Sequence, residues 1–424
     1  MSTSSASSSP PPPPPPDASA ASRVWRRLGA ALTHRDFRIL WLGAAASTVG
    51  TWVQKVAQNW LVLSVGGSAF YLGLDAFLGE APILLFTLIG GVVADRYDRR
   101  YLLIGSQVVQ MLCAFVLMGL VLFDTVAIWH ILGLSFVAGT AQAFGGPAYQ
   151  SLIPTLIPKS DLPNAIALNS IQFNLARVIG PLIAGATLAA LGTAACFGLN
   201  GASFLAVIAA LSMVRAPVLA AGRRNDLWGE MRSGLRYVKH QPAIVALTLL
   251  AFLATFLGLP LLTFLPVIAR EVFHLGVGGY SVMMAWSGAG AVTGALAVAW
   301  MGKFPGMGRV LLIVQLVFAV LVFAFAFSPV WWLSSVLLFL AGASLIVVFS
   351  MTTSLVQLIA PDEMRGRVVS IYMVAFRGGM PLGSLASGYF AERSSAPTVL
   401  AVNAVLLLLV TLVFLTRPRG VRDL

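Results

Sequence analysis

Apolar residues run along this 424-residue chain in long blocks separated by short polar breaks. A hydrocarbon core about 30 Å thick takes about 20 helical residues to cross, so each block predicts a membrane-spanning helix. Twelve spans are predicted, at 38–64, 69–94, 101–123, 126–155, 163–190, 194–214, 243–269, 279–301, 309–328, 331–358, 366–391 and 396–416. In span four, Gly145, Gly146, Pro147 and Pro154 mark either a bend within one span or a break in it. The pattern is that of an all-α integral membrane protein.

Composition agrees. Hydrophobic residues make up 58% and charged residues 10%, whereas a soluble domain carries about 25% charge. The formal charge of +12 raises nucleic acid as a partner, and the placement of the basic residues removes it. With the N-terminus inside, 22 of the 27 fall on the cytoplasmic side, two (Arg270, Arg393) fall outside, and Lys55, Arg177 and Arg377 lie within spans. That asymmetry sets membrane orientation. It places both termini in the cytoplasm and the chain in the cytoplasmic (inner) membrane. The first apolar run, from near Phe37, is too long for a signal-peptide core of roughly 7 to 15 residues, so span one is expected to be retained. Residues 1–22, rich in Ser, Ala and Pro, are predicted to be a disordered tail. Cys113 and Cys196 sit in or beside apolar runs and read as small apolar filler, with a disulfide or a metal site as the alternatives.

The longest internal polar segment, 215–242, divides the spans six and six. It predicts an N-terminal bundle at 23–214, a cytoplasmic linker, a C-terminal bundle at 243–416 and a tail at 417–424. An internal echo supports the division. "RVIGPL" in span five and "RGGMPL" in span eleven repeat Arg, Pro and Leu in register, 200 residues apart.

Between spans two and three lies "GGVVADRYDRR". Its Gly91, Asp95, Arg96, Arg99 and Arg100 resemble the cytoplasmic signature of the major facilitator superfamily: Gly, three residues, Asp-Arg, one residue, then Gly-Arg-Arg or Gly-Arg-Lys. Asp98 stands where that pattern has glycine, and Asp tolerates a left-handed backbone better than most residues. "FRILWLGAAASTVGTWVQKVAQNWLVL" and "LIPKSDLPNAIALNS" are similar to the branch containing the enterobactin exporter and macrolide-efflux proteins. Ala176, Gly180, Pro181, Ala184 and Gly185 resemble the GxxxGPxxGG signature of drug antiporters, with Ala at two glycine positions. The resemblance covers roughly residues 36 to 416. It implies two pseudo-symmetric six-helix bundles that rock about a central cavity, with the signature loop stabilising one end state. It further implies that Asp95 faces the start of span eleven near Gly366, beside Arg365 and Arg367. The plainer alternative is that these charges serve orientation alone.

An ionisable residue in mid-span costs roughly 2.5 to 3.5 kcal/mol on insertion scales and needs a partner or a wet cavity. Lys55, Asp75, Glu80, Arg177 and Arg377 are the five such residues. In span one, Ser47, Thr51, Lys55 and Gln58 share a face, with Gln54 and Asn59 alongside; in span five, Ser170, Asn174, Arg177 and Pro181 share another. These stripes, with Gln142, Tyr149 and Gln150 of span four, are expected to line the substrate path, or alternatively to join helices by hydrogen bonds. Asp75 and Glu80 point about 140° apart around their helix. Depth favours a Glu80–Lys55 pair, which is either a proton-exchanging carboxylate released and recaptured by a cation or a static ion pair.

The expected function is a secondary active, proton-coupled exporter of a small amphipathic organic molecule such as a siderophore, a macrolide or another drug-like compound. A monomer is expected, with lipid, substrate and protons as partners and no cofactor. There is no GxxxxGK[ST] loop for ATP, and no HExxH or nucleophile constellation that would indicate an enzyme. The alternative is a membrane sensor or scaffold that keeps the fold without transporting.

Overall fold

The computed structural model describes residues 29–214, 227–416 and 420–424. The tail predicted at 1–22, the first part of the linker (215–226) and residues 417–419 lie outside the described residues. The chain is helical almost throughout. Helices α1 (Arg35–Gly66), α2 (Ala69–Arg96), α3 (Arg99–Leu122) and α4 (Ile128–Leu156) follow the first four apolar blocks, and α4 runs through both of its prolines. Helical assignment then continues over Leu162–Met213, 52 residues. Within it Gly192 adopts φ 79°, a left-handed conformation that glycine takes without a Cβ penalty. Cys196 Sγ comes within 3.9 Å of the Ala184 carbonyl oxygen, whereas a straight helix would separate the two by about 18 Å along its axis. The chain therefore reverses at Gly192, giving α5 (162–191) and α6 (193–213).

The linker contains a helix of its own, α7 (Leu227–Lys239). Span seven is built from α8 (Pro242–Gly258) and α9 (Pro260–Glu271), broken where Pro260 lacks a backbone N–H. Then come α10 (Val277–Met301), α11 (Met307–Phe327), α12 (Trp331–Ile359), α13 (Arg365–Arg393) and α14 (Ala396–Thr416). Among the described residues, nine helical stretches have the length and apolarity to cross a membrane, the double-length 162–213 among them. Helices α1 and α4 have the length but carry more polar side chains. Together these are consistent with twelve crossings. Leu85, Leu112, Leu296, Phe327 and Leu409 point outward, as lipid permits. Trp129, Trp300 and Trp332, at span ends, are also exposed, matching an interfacial aromatic belt.

The halves repeat one packing device. Gly90 on α2 faces the Ala143 carbonyl of α4, and Gly290 on α10, 200 residues later, faces the Phe339 carbonyl of α12. A Cβ at either would strike backbone, so these glycines set how closely the helices approach.

Counting twelve crossings, the start of α1 and the end of α14 lie at one end of the described molecule, called here the terminal end. At the opposite, far end one continuous apolar core draws on both halves: Leu61, Leu72 and Phe197 pack with Leu261, Phe264 and Leu400. At the terminal end the cores are separate. Leu40, Leu103 and Phe204 belong to one half, and Leu247, Leu311 and Tyr372 to the other. Two hydrogen bonds that join the halves are also at the far end: Asn59 Nδ2 donates to the Tyr280 hydroxyl (3.0 Å) and Arg270 Nη1 donates to the Leu63 carbonyl (3.2 Å). Trp60 stacks on Tyr280 there. Two equivalent helix pairs form the seam. On α2 and α13, Gly73 meets the Ser384 carbonyl; on α5 and α10, Gly185 meets Ser281 and Gly288 meets the Arg177 carbonyl. Among the described residues, the halves thus share one apolar core at the far end and keep separate cores at the terminal end.

Since Gly73 faces backbone, a side chain there should force the far end apart. In a variant lacking Cys113 and Cys196, a Ser281→Cys thiol, buried in this state, should react slowly with a membrane-impermeant maleimide. Adding Gly73→Val should speed labelling by about tenfold or more; an unchanged rate would show that closure does not depend on Gly73.

Candidate substrate and coupling site

The polar face of α1 is the backbone of the site. Gln58 Nε2 donates to both carboxylate oxygens of Asp75 on α2 (3.1 and 2.9 Å) and lies 2.9 Å from Ser135 Oγ on α4. Ser135 in turn donates to Asp75 Oδ1 at 2.5 Å. Upstream, Gln54 Nε2 donates to Gln58 Oε1 (3.3 Å), and Asn200 Nδ2 of α6 donates to Gln54 Oε1 (2.7 Å). Ser203 Oγ donates to the Asn200 carbonyl at 2.7 Å and lies 3.2 Å from Asn200 Oδ1. Every link from Asn200 through Gln54 and Gln58 points its donor toward the carboxylate. Such a chain polarises in one direction and strengthens its last bond in a low dielectric. Gly50 admits it, because a Cβ there would meet Asn200 and Ser203.

The expected Glu80–Lys55 pair does not form. Asp75, buried at 6% exposure, takes the donors of α1 and α4, while Glu80 is half-buried with no hydrogen bond or ion pair among the described residues. Depth alone favoured Glu80; rotation about α2 turns Asp75 toward Gln58. The Lys55 charge bears on Asp75 through space, and its ammonium lies 5.4 Å from the Trp52 ring centroid. The Arg177 guanidinium lies 5.6 Å from the same ring. Phe173 meets Trp52 edge-on at 6.3 Å, and Gly180 lets the indole seat against α5. No ion pair of Lys55, Arg177 or Arg377 is present among the described residues. Cation–π contact returns about 0.5 to 2 kcal/mol, less than the roughly 2.5 to 3.5 kcal/mol that a mid-membrane cation costs. Arg377, the partner of Arg177 in the internal echo, is exposed on α13.

Other predicted lining residues make hydrogen bonds within one helix or to a neighbouring one. Thr51 Oγ1 donates to the Ser47 carbonyl and Asn174 Nδ2 to the Ser170 carbonyl, each within its own helix. Gln142 accepts from Gln110 of α3 (3.2 Å), away from the α1 stripe. Tyr149 donates to Asn169 of α5 (3.2 Å), so it acts as a helix-to-helix tie. Ser135, Asn200 and Trp52 were not anticipated. Ser135 and Asn200 form no periodic polar stripe with the other polar residues of their spans, and Trp52 reads as one more apolar residue.

A family profile described as "Transmembrane secretion effector", of the major facilitator class, matches residues 28–420. The chain belongs to this family. Among curated proteins it is 29% identical to the multidrug efflux pump Tap of Mycolicibacterium fortuitum, over 90% of this chain and 96% of Tap. It is 28% identical to the staphyloferrin A transporter of Staphylococcus aureus, over 86% and 92%. It is 25% identical to the enterobactin exporter EntS of Salmonella choleraesuis, over 84% and 86%, within the branch the sequence resembles. Among solved structures, the nucleoside transporter NupG superposes with a TM-score of 0.72 at 14% identity, covering 90% of this chain and 98% of NupG, which shows the shared fold.

The family's signature loop binds the terminal end of its own half. Asp98 is not left-handed: at φ −62° and ψ 115° it is the N-cap of α3, its Oδ1 accepting from the Arg100 N–H at 2.8 Å. An extended cap needs a short acceptor side chain, so Asp serves here without the freedom of glycine. Arg99 Nη1 donates to the Ser151 carbonyl of α4, and Arg100 Nη2 to the Ser212 carbonyl at the C-terminus of α6 (2.7 Å), the negative end of that helix. Gly91 lies in α2 with open space beside it. The side chains of Asp95 and Arg96 lie outside the described residues. Of their expected neighbours, Arg365 pairs with Asp362 at 2.5 Å, and Arg367 donates to Ser233 of α7 at 3.1 Å. "LIPKSDLPNAIALNS" anchors the chain's entry into α1: Asp161 meets His34 Nε2 at 2.7 Å and Asn164 Oδ1 accepts from the Ala31 N–H at 2.8 Å.

Replacing the Asp98 cap by Ala should cost about 0.5 to 2 kcal/mol, and by Gly only a few tenths. Thermal unfolding in detergent checks this order; equal midpoints for Asp98→Ala and the parent would show that the cap adds no stability.

Proposed function

We propose that this protein is a secondary active exporter that moves a small amphipathic organic molecule across the cytoplasmic membrane by alternating access, in exchange for protons. The single observation that carries the reading is the shared core at the far end set against divided cores at the terminal end, with mid-span charges placed between them. With the basic terminal end in the cytoplasm, this is the state that accepts substrate from inside. The bodies that move are the bundles at 23–214 and 243–416, joined by the linker at 215–242. The names of Tap, the staphyloferrin A transporter and EntS support export of drug-like or siderophore-like cargo. In the opposite state the far-end contacts part, and the signature loop's Asp95 closes on the start of α13.

Asp75 is the coupling carboxylate in this scheme. Gln58 and Ser135 offer it donors only, which suits an ionised acceptor; a proton on either oxygen displaces one of these bonds. Because Gln58 belongs to the same helix as Asn59, a change at Asp75 is passed to the bond between Asn59 and Tyr280 that helps close the far end. Glu80, without such partners, plays no part in coupling.

Inverted membrane vesicles given a panel of macrolide, tetracycline-like and siderophore-like probes, with and without an imposed proton gradient, test the reading. Gradient-driven uptake of at least one probe is expected. Asp75→Asn should lower that uptake by roughly tenfold or more while probe exchange without a gradient persists, and Glu80→Gln should keep most of it. Uptake that ignores the gradient would overturn proton coupling, and full activity of Asp75→Asn would overturn the role of Asp75.

A further inference from the structure

The two cations that share Trp52 carry more information than a generic drug pocket would need. Lys55 comes from α1 and Arg177 from α5, and each holds its charge within 6 Å of one indole centroid, at 5.4 and 5.6 Å. Neither has an ion pair among the described residues, and Arg177 has no hydrogen bond there either. Asp75, the carboxylate whose field reaches Lys55, is already occupied by Gln58 and Ser135. The pair lies at the seam between the halves, because the Arg177 carbonyl faces Gly288 of α10. Two like charges in a low dielectric repel, and the ring quadrupole compensates them only in part. A bound anion would neutralise both at once.

We propose that Lys55, Trp52 and Arg177 form a clamp for organic anions, and that the cargo of this protein is a carboxylate-bearing amphiphile with a flat apolar body. The carboxylate is drawn by both charges, and the Arg177 guanidinium can grip it through a bidentate contact. The apolar body lies along the edge-to-face pair of Trp52 and Phe173. Cationic molecules of the same shape are rejected, because they would add a third positive charge to the site. This names the cargo class of the exporter proposed above and rests on that reading only for movement across the membrane.

Equilibrium binding to the purified protein in detergent tests the clamp, with pyrenebutyrate as the anionic probe and pyrenebutyltrimethylammonium as its cationic counterpart. Pyrenebutyrate should bind at least about tenfold more tightly than the cation. The double variant Lys55→Gln/Arg177→Gln should lose about tenfold or more of the anion affinity and narrow that gap, while Lys55→Arg and Arg177→Lys each retain most of it. If the double variant fails to fold, the two single Gln variants should each show part of the same loss. Equal or tighter binding of the cation, or an anion affinity unaffected by the Gln variants, would overturn the clamp. Anion binding that follows this pattern in a protein that moves no probe in vesicles would leave the clamp standing and overturn the exporter reading.

Discussion

Inside a hydrocarbon layer a polar side chain has no water to turn to, and its partner must come from another helix or from a cavity. Helix α1 of this protein carries more of that demand than its neighbours, and the architecture of the first half follows from how it is met. Gln54 and Gln58 reach α6, α2 and α4 at once, through Asn200, Asp75 and Ser135. Small residues make the reach possible. Gly50 leaves room for Asn200 and Ser203, and Gly180 leaves room for Trp52. Close approach and polar satisfaction are therefore one constraint: a larger residue at either glycine would separate the donors from their acceptors as well as the helices from each other.

The distribution of charge shows a second consequence. Among the described residues, carboxylates and cations within the spans do not pair off. Asp75 is served by one amide and a hydroxyl, and Lys55 and Arg177 rest on an aromatic ring. A tight ion pair would have satisfied both partners permanently and left nothing for a ligand or a proton to change. Keeping the signs apart leaves each charge responsive to what enters the cleft.

Much of the fold was legible in the sequence, because the thickness of a bilayer imposes a block length that composition cannot disguise. The reversal at Gly192 falls in the break expected between spans five and six, and the 200-residue echo of Arg177 in Arg377 has a structural counterpart in Gly90 and Gly290. The site was legible only in part. Sequence spacing ranks residues by depth and by face within one helix, but it does not say how that helix is turned against its neighbours. That rotation, set by packing against α4, decides for Asp75 over Glu80. The partner of Gln142 was hidden for the same reason, since α3 supplies Gln110, which no pattern within α4 reveals. The Asp98 cap was hidden differently: Asp serves both as a left-handed residue and as an N-cap, and only the backbone angles separate the two roles.

The run of amides from Asn200 to Asp75 also has a mechanical meaning. It crosses four helices of one half by hydrogen bonds, and it includes no residue of the other half. Sliding any of these helices against its neighbour would break a buried bond, whereas tilting all of them together breaks none. The first half is braced like a truss, and in the second the helix pair α8 and α9 is interrupted at Leu259 and Pro260.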